Sequence, residues 1–103
     1  LVLCQESIVP MTLVRCYPIG VMKMIDDEQE DEKIIAIPFN DPSLTVYDDI
    51  SQLPEHTFDE IKHFFKVYKS LEGKETVVSE ALGREEAKEI IKKSIARYKE
   101  CFC

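Results

Sequence analysis

The sequence predicts a mainly β domain with two helices packed on its sheet. Apolar residues dominate residues 12–25 and 32–39, and a short turn in which six of the seven residues 26–32 are acids lies between them. Two later segments repeat apolar residues at the spacing of amphipathic helices. With 103 residues, the chain is expected to form one domain at most, with a modest core.

The first part of the chain is expected to be extended. Residues 1–5 predict a short strand, and residues 6–11 predict a loop. The long β segment over residues 12–25 contains Pro18 and Gly20, and this pair predicts a bulge or sharp bend. The next strand, over residues 32–39, contains an unbroken apolar run, which predicts burial on both of its faces.

The second part begins with an irregular stretch over residues 40–55 and then predicts a helix. Thr57 and Glu60 have the spacing of a capping box, so the helix is expected to start there and to continue to Leu71, ahead of Gly73.

A short strand is predicted over residues 76–78, and a last helix from about Arg84 to Cys101. Acids lie early and bases late in this last segment, which suits the helix dipole. An apolar stripe along one side predicts that this helix covers the sheet.

Charge and cysteine usage exclude several classes of protein. The net charge of −7 argues against nucleic acid and against an anionic membrane surface, because both are bound by clusters of Lys and Arg. No apolar run approaches the roughly 20 residues of a membrane span. The four cysteines form no C-x-x-C pair and are expected to be reduced thiols, which predicts a cytoplasmic protein, or an organellar one if a targeting segment has been lost.

The acidic turn is the main candidate for chemistry. Its carboxylates suit a hard cation such as Mg²⁺ or Ca²⁺, although an acidic turn is more often a solvated loop. An EF-hand is excluded, because its sixth position requires Gly and counting from Asp26 places Asp31 there. In a strand, Asp31 and Lys33 point to the same face, and an ammonium beside a carboxylate favours a metal-bound phosphate over calcium alone.

Other polar residues carry weaker signals. Tyr68 and Lys69 are adjacent in a predicted helix, so their side chains point about 100° apart and can only flank a ligand. His56 and His63 have no nucleophile at a motif spacing and are expected to be surface residues. Asp48 and Asp49 are expected to serve the turn ahead of Leu53-Pro54, although one of them could lie near a site.

Several segments together resemble a known family. These are residues 18–26 and 30–36, Asp48-Asp49-Ile50 followed by Leu53-Pro54, and residues 63–69, which contain Phe-Phe-x-x-Tyr-Lys. In this order and spacing they are similar to the second half of the soluble inorganic pyrophosphatases of the single-domain, magnesium-dependent family. The resemblance covers nearly the whole chain, and it implies that residues 1–103 are the C-terminal part of one pyrophosphatase domain.

The resemblance implies a fold, an activity and a set of site residues. The fold is a five-stranded β-barrel of the OB type, partial in this chain, with two packed helices. The activity is hydrolysis of pyrophosphate with several Mg²⁺ ions, in an enzyme of phosphate metabolism whose full-length parent is a homo-oligomer. At matching positions, Asp26 and Asp31 are implied to bind metal, and Lys33, Tyr68 and Lys69 to bind substrate phosphate.

The sequence departs from the family pattern at its start. The motif D-x-D-P-x-D, which supplies most metal carboxylates and the group that activates water, precedes the first strand in the family and is absent here. No catalytic residue is therefore identified, and the 103 residues alone are expected to be inactive as part of a longer chain. The rival hypothesis is a non-catalytic acidic module that binds Ca²⁺ or a protein, for which Lys33, Tyr68 and Lys69 would have no use.

The acidic turn departs from the family in one further way. It has no Gly where family members usually carry one, so Glu28 or Gln29 is expected to adopt the left-handed backbone conformation at some cost.

Overall fold

The computed structural model is a three-stranded antiparallel sheet with helices packed against it, and it describes residues 1–26, 28–73 and 76–102. The elements, in chain order, are β1 (Cys16–Asp26), β2 (Gln29–Pro38), a 3₁₀ turn (Ile50–Gln52), α1 (Glu55–Leu71), β3 (Thr76–Gly83) and α2 (Arg84–Phe102). The strand order is β2-β1-β3. The predicted β fold with two helices is confirmed, and among the described residues the sheet stays open, as expected of a partial barrel.

The predicted irregularity in the first long strand is a register shift between Pro18 and Gly20 in the pairing of β1 with β2. Gly20 is buried, and a Cβ at this position would lie 2.7 Å from Cβ of Ile50 and 2.8 Å from the carbonyl oxygen of Leu82. A side chain does not fit at such distances. Gly20 therefore allows the 3₁₀ turn and β3 to approach β1 closely.

The hairpin between β1 and β2 closes with Asp26 opposite Gln29. Glu28 has a φ of 65°, in the left-handed region that favours glycine. This confirms that a non-glycine residue takes the strained turn conformation. Asp27, the remaining member of the turn, lies outside the described residues.

The two faces of the sheet are covered by different helices. Met22, Met24, Ile35 and Ile37 belong to one buried cluster, in which they meet Ile61 and Phe65 of α1. Side chains alternate along a strand, so Ile34 points to the opposite face, where it lies beside α2. Ile35 and Ile37 are fully buried, whereas Ile34 and Ala36 on the opposite face are only partly buried. The predicted burial of this strand on both faces is therefore complete on the α1 side and partial on the α2 side.

The predicted capping box at Thr57 is wrong, because α1 begins two residues earlier, at Glu55. Pro54 is its N-cap residue and makes no side-chain cap. Its carbonyl accepts hydrogen bonds from the N–H groups of Thr57 and Phe58 at 3.0 and 3.2 Å. The ring of Pro54 fixes its φ angle, and its backbone is extended just before the first helical residue. The helix therefore starts at Glu55 without the hydroxyl of Thr57 as a cap.

A capping box does exist, but at the 3₁₀ turn. The side chain of Asp49 accepts a hydrogen bond from the N–H of Ser51, and the side chain of Gln52 accepts from the N–H of Asp49. The prediction that Asp49 serves the turn before Leu53-Pro54 is therefore confirmed.

Three other boundaries differ from the sequence expectation. β1 begins at Cys16, not at residue 12, and β3 is eight residues long instead of three. The expected strand over residues 1–5 is reduced to a single parallel bridge between Val2 and Ala36. Edge pairing depends on the partner strand, so local sequence predicts these ends poorly.

Cys4, Cys16 and Cys101 form no disulfide, and Cys103 lies outside the described part of the chain. Within that part, neither helix combines the length and apolar character that crossing a bilayer requires.

Candidate functional site

Four charged residues meet on the α1 side of the sheet, at the hairpin end. Asp26 follows Met22 and Met24 on one face of β1, and the register places Asp31 opposite Met24 and Lys33 opposite Met22. All three therefore project from the face that α1 covers. Lys69, in the last turn of α1, extends toward the sheet and contacts Asp26.

Asp26 and Lys69 form the most buried of the ion pairs that the structure describes. Lys69 Nζ lies 2.9 Å from Asp26 Oδ2, and the two side chains are only 12% and 14% exposed. The hydrogen bond to Asp26 is the largest cause of a raised pKa at Lys69, and the charges of Glu72 and Asp31 act in the same direction. Lys69 is therefore firmly protonated at neutral pH.

Asp31 and Lys33 form a second pair two residues apart on β2. Lys33 Nζ lies 2.9 Å from Asp31 Oδ2, and both side chains are about one-third exposed, at 31% and 28%. The prediction that these two side chains share a face is confirmed by this contact. The effect of Asp31 on the pKa of Lys69 shows that the two pairs are close enough to act on each other.

Tyr68 lies beside this cluster, and its ring contacts both Phe64 and Lys69. Its ring stacks on Phe64 with the centroids 5.8 Å apart, and Lys69 Nζ lies 5.7 Å from the centroid of the Tyr68 ring. The ring lines an open apolar groove on the outer face of α1. The predicted divergence of Tyr68 and Lys69 is confirmed, because Tyr68 lines this groove whereas Lys69 contacts Asp26.

The remaining candidates lie elsewhere. His56 and His63 are exposed on the outer face of α1, as predicted, and line the same apolar groove as Tyr68. Asp49 binds the backbone of the 3₁₀ turn and of α2. Sequence reasoning overlooked Glu72, whose Oε2 lies 4.0 Å from Lys69 Nζ. Its position three residues after Lys69 was the available signal.

The donor set suits a hard cation only in part. Asp26 and Asp31 offer carboxylate oxygens on one face, and Mg²⁺ commonly binds through one or two carboxylates while keeping water and phosphate ligands. Within residues 1–26, 28–73 and 76–102, no group of three or more metal-ligating side chains is gathered. Two carboxylates beside two lysines fit a hydrated magnesium ion that is shared with an anionic ligand.

Comparison with known proteins identifies the family. A family model described as inorganic pyrophosphatase matches residues 1–99. The chain belongs to the inorganic pyrophosphatase family. The resemblance inferred from the acidic turn, Leu53-Pro54 and the Tyr68-Lys69 segment is therefore confirmed.

Named pyrophosphatases match almost all of this chain but only about half of their own length. Soluble inorganic pyrophosphatase 2 of Chlamydomonas reinhardtii is 51% identical over 102 residues, which are 99% of this chain and 53% of the relative. Soluble inorganic pyrophosphatase 1 of Arabidopsis thaliana is 43% identical over 97% of this chain and 47% of the relative.

Solved pyrophosphatase structures share the fold. The Thermus thermophilus enzyme superimposes with a TM-score of 0.89 at 35% identity, over 96% of this chain and 59% of that one. The Helicobacter pylori enzyme superimposes with a TM-score of 0.90 at 37% identity, over 96% and 60%. The chain has the fold of the corresponding part of a pyrophosphatase.

Proposed function

We propose that this chain is the C-terminal part of a magnesium-dependent enzyme that hydrolyses inorganic pyrophosphate to two phosphates. The observation that carries the proposal is the charged cluster, in which two Asp–Lys pairs, each at 2.9 Å, share one face of the sheet. Membership of the inorganic pyrophosphatase family over residues 1–99 supports the substrate.

In this proposal, Asp26 and Asp31 contribute oxygen ligands to magnesium. When bound, Mg²⁺ lowers the pKa of coordinated water and offsets the negative charge of the phosphoryl oxygens. Bound Mg²⁺ would also offset the repulsion between a polyanion and a chain with a net charge of −7.

Lys33, Tyr68 and Lys69 are proposed to bind substrate phosphate. Each lysine already lies 2.9 Å from a carboxylate, so it can turn toward a phosphate oxygen as that carboxylate turns toward the metal. The contact with Asp26 also restricts the conformations of the Lys69 side chain near the site, which reduces the entropic cost of ordering it when phosphate binds. The Tyr68 hydroxyl would donate a hydrogen bond at the rim of the site, which requires a rotation of its ring away from Phe64.

The 103 residues alone are expected to hydrolyse pyrophosphate negligibly. None of the described residues has an assigned role in activating water, and removal of one member of a catalytic set commonly costs several orders of magnitude. The chain spans about half the length of the named relatives, so the activity belongs to a longer chain.

The test is phosphate release from pyrophosphate with and without Mg²⁺. We would assay the 103-residue chain and a chimera in which the rest of the Chlamydomonas relative is joined ahead of it. The chimera should be active only with Mg²⁺, and Asp31→Ala should reduce its turnover far more than His63→Ala, the exposed control. Robust turnover by the 103 residues alone, or an Asp31→Ala chimera as fast as its parent, would overturn the assignment.

The full-length protein is further proposed to be a cytoplasmic homo-oligomer. Half-exposed Phe64 and Val67 and the strongly exposed Leu71 form an apolar surface that supports self-association. The unpaired thiols of Cys4, Cys16 and Cys101 support a reducing compartment. Sedimentation velocity of the chimera would test the first point, and a monomer at all concentrations would contradict it.

A further inference from the structure

The end of α1 brings a second carboxylate close to Lys69. Glu72 is the C-cap residue of this helix, and its Oε2 lies 4.0 Å from Lys69 Nζ. The nearer carboxylate, at 2.9 Å, is that of Asp26 at the end of β1. The Lys69 ammonium therefore has one carboxylate partner on the sheet and another on its own helix.

The backbone of the helix end fixes the position of Glu72. Its N–H donates a hydrogen bond to the carbonyl of Lys69 at 3.1 Å, and the N–H of Gly73 donates to the carbonyl of Ser70 at 3.0 Å. Gly73 has a φ of 74°, the left-handed conformation with which helices commonly end. Glu72 therefore stays within reach of Lys69 whichever way the Asp26 carboxylate turns.

The helix itself gains little from a glutamate at this position. The C-terminal end of a helix carries a partial negative charge, so a carboxylate there opposes the helix dipole. The side chain of Glu72 is 43% exposed, and an ion pair at such a surface contributes little to stability. The main effect of this carboxylate is therefore on Lys69 and not on the fold.

The contact between Asp26 and Lys69 does not persist in the proposed function, because Asp26 turns toward a cation and Lys69 toward a phosphate. The Lys69 side chain is only 12% exposed, and an ammonium in such a place requires a polar partner. Glu72 is not a proposed cation ligand, and its exposed side chain has room to close the gap of 4.0 Å. Glu72 can therefore hold the ammonium near the sheet until phosphate reaches it.

We propose that Glu72 is a positioning residue for substrate binding. It keeps the Lys69 ammonium directed at the charged cluster when Asp26 no longer does. Glu72 acts through Lys69 and does not itself contact metal or phosphate. This inference rests on the proposed function and adds to it a carboxylate whose role is to place a phosphate-binding lysine.

Steady-state kinetics of Glu72→Gln in the chimera separate this role from two simpler ones. Loss of positioning should raise the KM for pyrophosphate about two- to fivefold, the range that an exposed ion pair can supply. It should leave kcat nearly unchanged, because Lys69 is expected to contact phosphate in the ground state and the transition state alike. If Glu72 only repels a polyanion, its removal should lower KM. If it only supports the helix end, the thermal midpoint and kcat should fall while KM stays the same. Either of these results would overturn the proposal.

Glu60→Gln is the matched control, because it removes the same charge from the same helix. Glu60 lies on the outer face of α1, where it lines the apolar groove with His56 and His63. Its replacement should change neither KM nor kcat. Equal rises of KM in Glu60→Gln and Glu72→Gln would show an effect of net charge alone, and the proposal would be wrong.

NMR relaxation of lysine side chains tests the contact in the 103-residue chain without any hydrolysis. Asp26→Ala removes the nearer carboxylate. In this variant the order parameter of the Lys69 ε-carbon should stay above that of Lys66, an exposed lysine of the same helix. Adding Glu72→Gln should lower it to the value of Lys66. Asp31 is present in both variants, so the difference isolates Glu72, and the absence of a difference would contradict the proposal.

Failure of this inference is distinguishable from failure of the proposed function. An inactive parent chimera would contradict the proposed function, and the order parameters then decide whether Glu72 holds Lys69. An active chimera in which Glu72→Gln leaves KM unchanged would overturn only the role of Glu72. Where Asp26→Ala does not fold, as circular dichroism would show, the kinetic comparison decides, because it leaves Asp26 intact.

Discussion

The carboxylate of Asp49 accepts a hydrogen bond from the backbone N–H of Arg84, with Oδ2 3.0 Å from the nitrogen. Arg84 is the first residue of α2. The other oxygen, Oδ1, accepts from the N–H of Ser51 at 3.1 Å. One side chain thus caps two elements that are distant in sequence, the 3₁₀ turn ahead of α1 and the start of α2.

Replacement of Asp49 by alanine should destabilise the fold through both caps. Asp49→Ala is expected to lower the free energy of unfolding by about 1–2 kcal/mol, the usual cost of losing a capping side chain. Urea unfolding followed by circular dichroism measures it. Asp48→Ala is the matched control, because the Asp48 side chain is exposed and only its N–H binds Gln52. Equal losses in the two variants would contradict the capping role.

The same carboxylate makes stability depend on acid pH. The hydrogen bonds from the N–H groups of Arg84 and Ser51 lower the pKa of Asp49 below its ordinary value of 3.8. Because the pKa of Asp49 is lower in the folded state than in the unfolded state, the ionised carboxylate stabilises the folded state. This stabilisation is fully present above pH 3.8 and is lost as the pH falls through the folded-state pKa. The free energy of unfolding should therefore fall more steeply below pH 3.8 in the wild type than in Asp49→Asn. Parallel profiles would show that Asp49 has the same pKa in both states.

Gly20 and Gly73 should respond very differently to alanine. At Gly20, a Cβ would lie 2.7 Å from Cβ of Ile50, and neither that atom nor the carbonyl of Leu82 can swing aside. Gly20→Ala is therefore expected to cost about 2–3 kcal/mol or more, as an overpacked core site does. At Gly73, which has a φ of 74°, an added Cβ would have no atom within 4 Å among the described residues outside its chain neighbours, so Gly73→Ala should cost about 1 kcal/mol of backbone strain. Thermal unfolding compares them, and a milder effect at Gly20 would contradict the close approach.

Glu28 is a site at which a small change should stabilise the protein. Its φ of 65° is unfavourable for a residue with a Cβ, so Glu28→Gly should raise the free energy of unfolding by about 0.5–1 kcal/mol. Glu30→Gly, two residues later and within β2, should instead lower it. Urea midpoints for the two variants provide the measurement, and changes of the same sign would show that the turn is not strained.

The pair formed by Asp26 and Lys69 should stabilise the attachment of α1 to the sheet up to alkaline pH. The pKa of Lys69 is raised above 10.5, mainly by its hydrogen bond to Asp26, so the stabilisation is fully present below pH 10.5 and is lost as the pH rises through the folded-state pKa. The single variants Lys69→Met and Asp26→Asn should each be less stable than the wild type. The double variant should lose less than the sum of the two. Additive losses would show that the contact at 2.9 Å does not couple them.

The sequence by itself determined those features that follow from local periodicity. The β-hairpin, the bulge at Pro18 and Gly20, the two helices and the shared face of Asp31 and Lys33 were all predicted, because alternation in strands and the turn of a helix are properties of short segments. The predicted helix start at Thr57 was wrong because it also rested on a local pattern, the spacing of a capping box. Pro54 imposes an extended backbone just before Glu55, and the helix begins there instead.

Only the tertiary structure decided which distant residues meet. Nothing in the local pattern of α1 shows that Lys69 pairs with Asp26 while Tyr68 faces an apolar groove, because that choice depends on how α1 lies across the sheet. The cap that Asp49 provides for Arg84 is likewise a contact between two elements far apart in the chain. Such contacts arise from packing of the core around Ile35, Ile61 and Phe65, and packing is a property of the whole chain and not of any one segment of it.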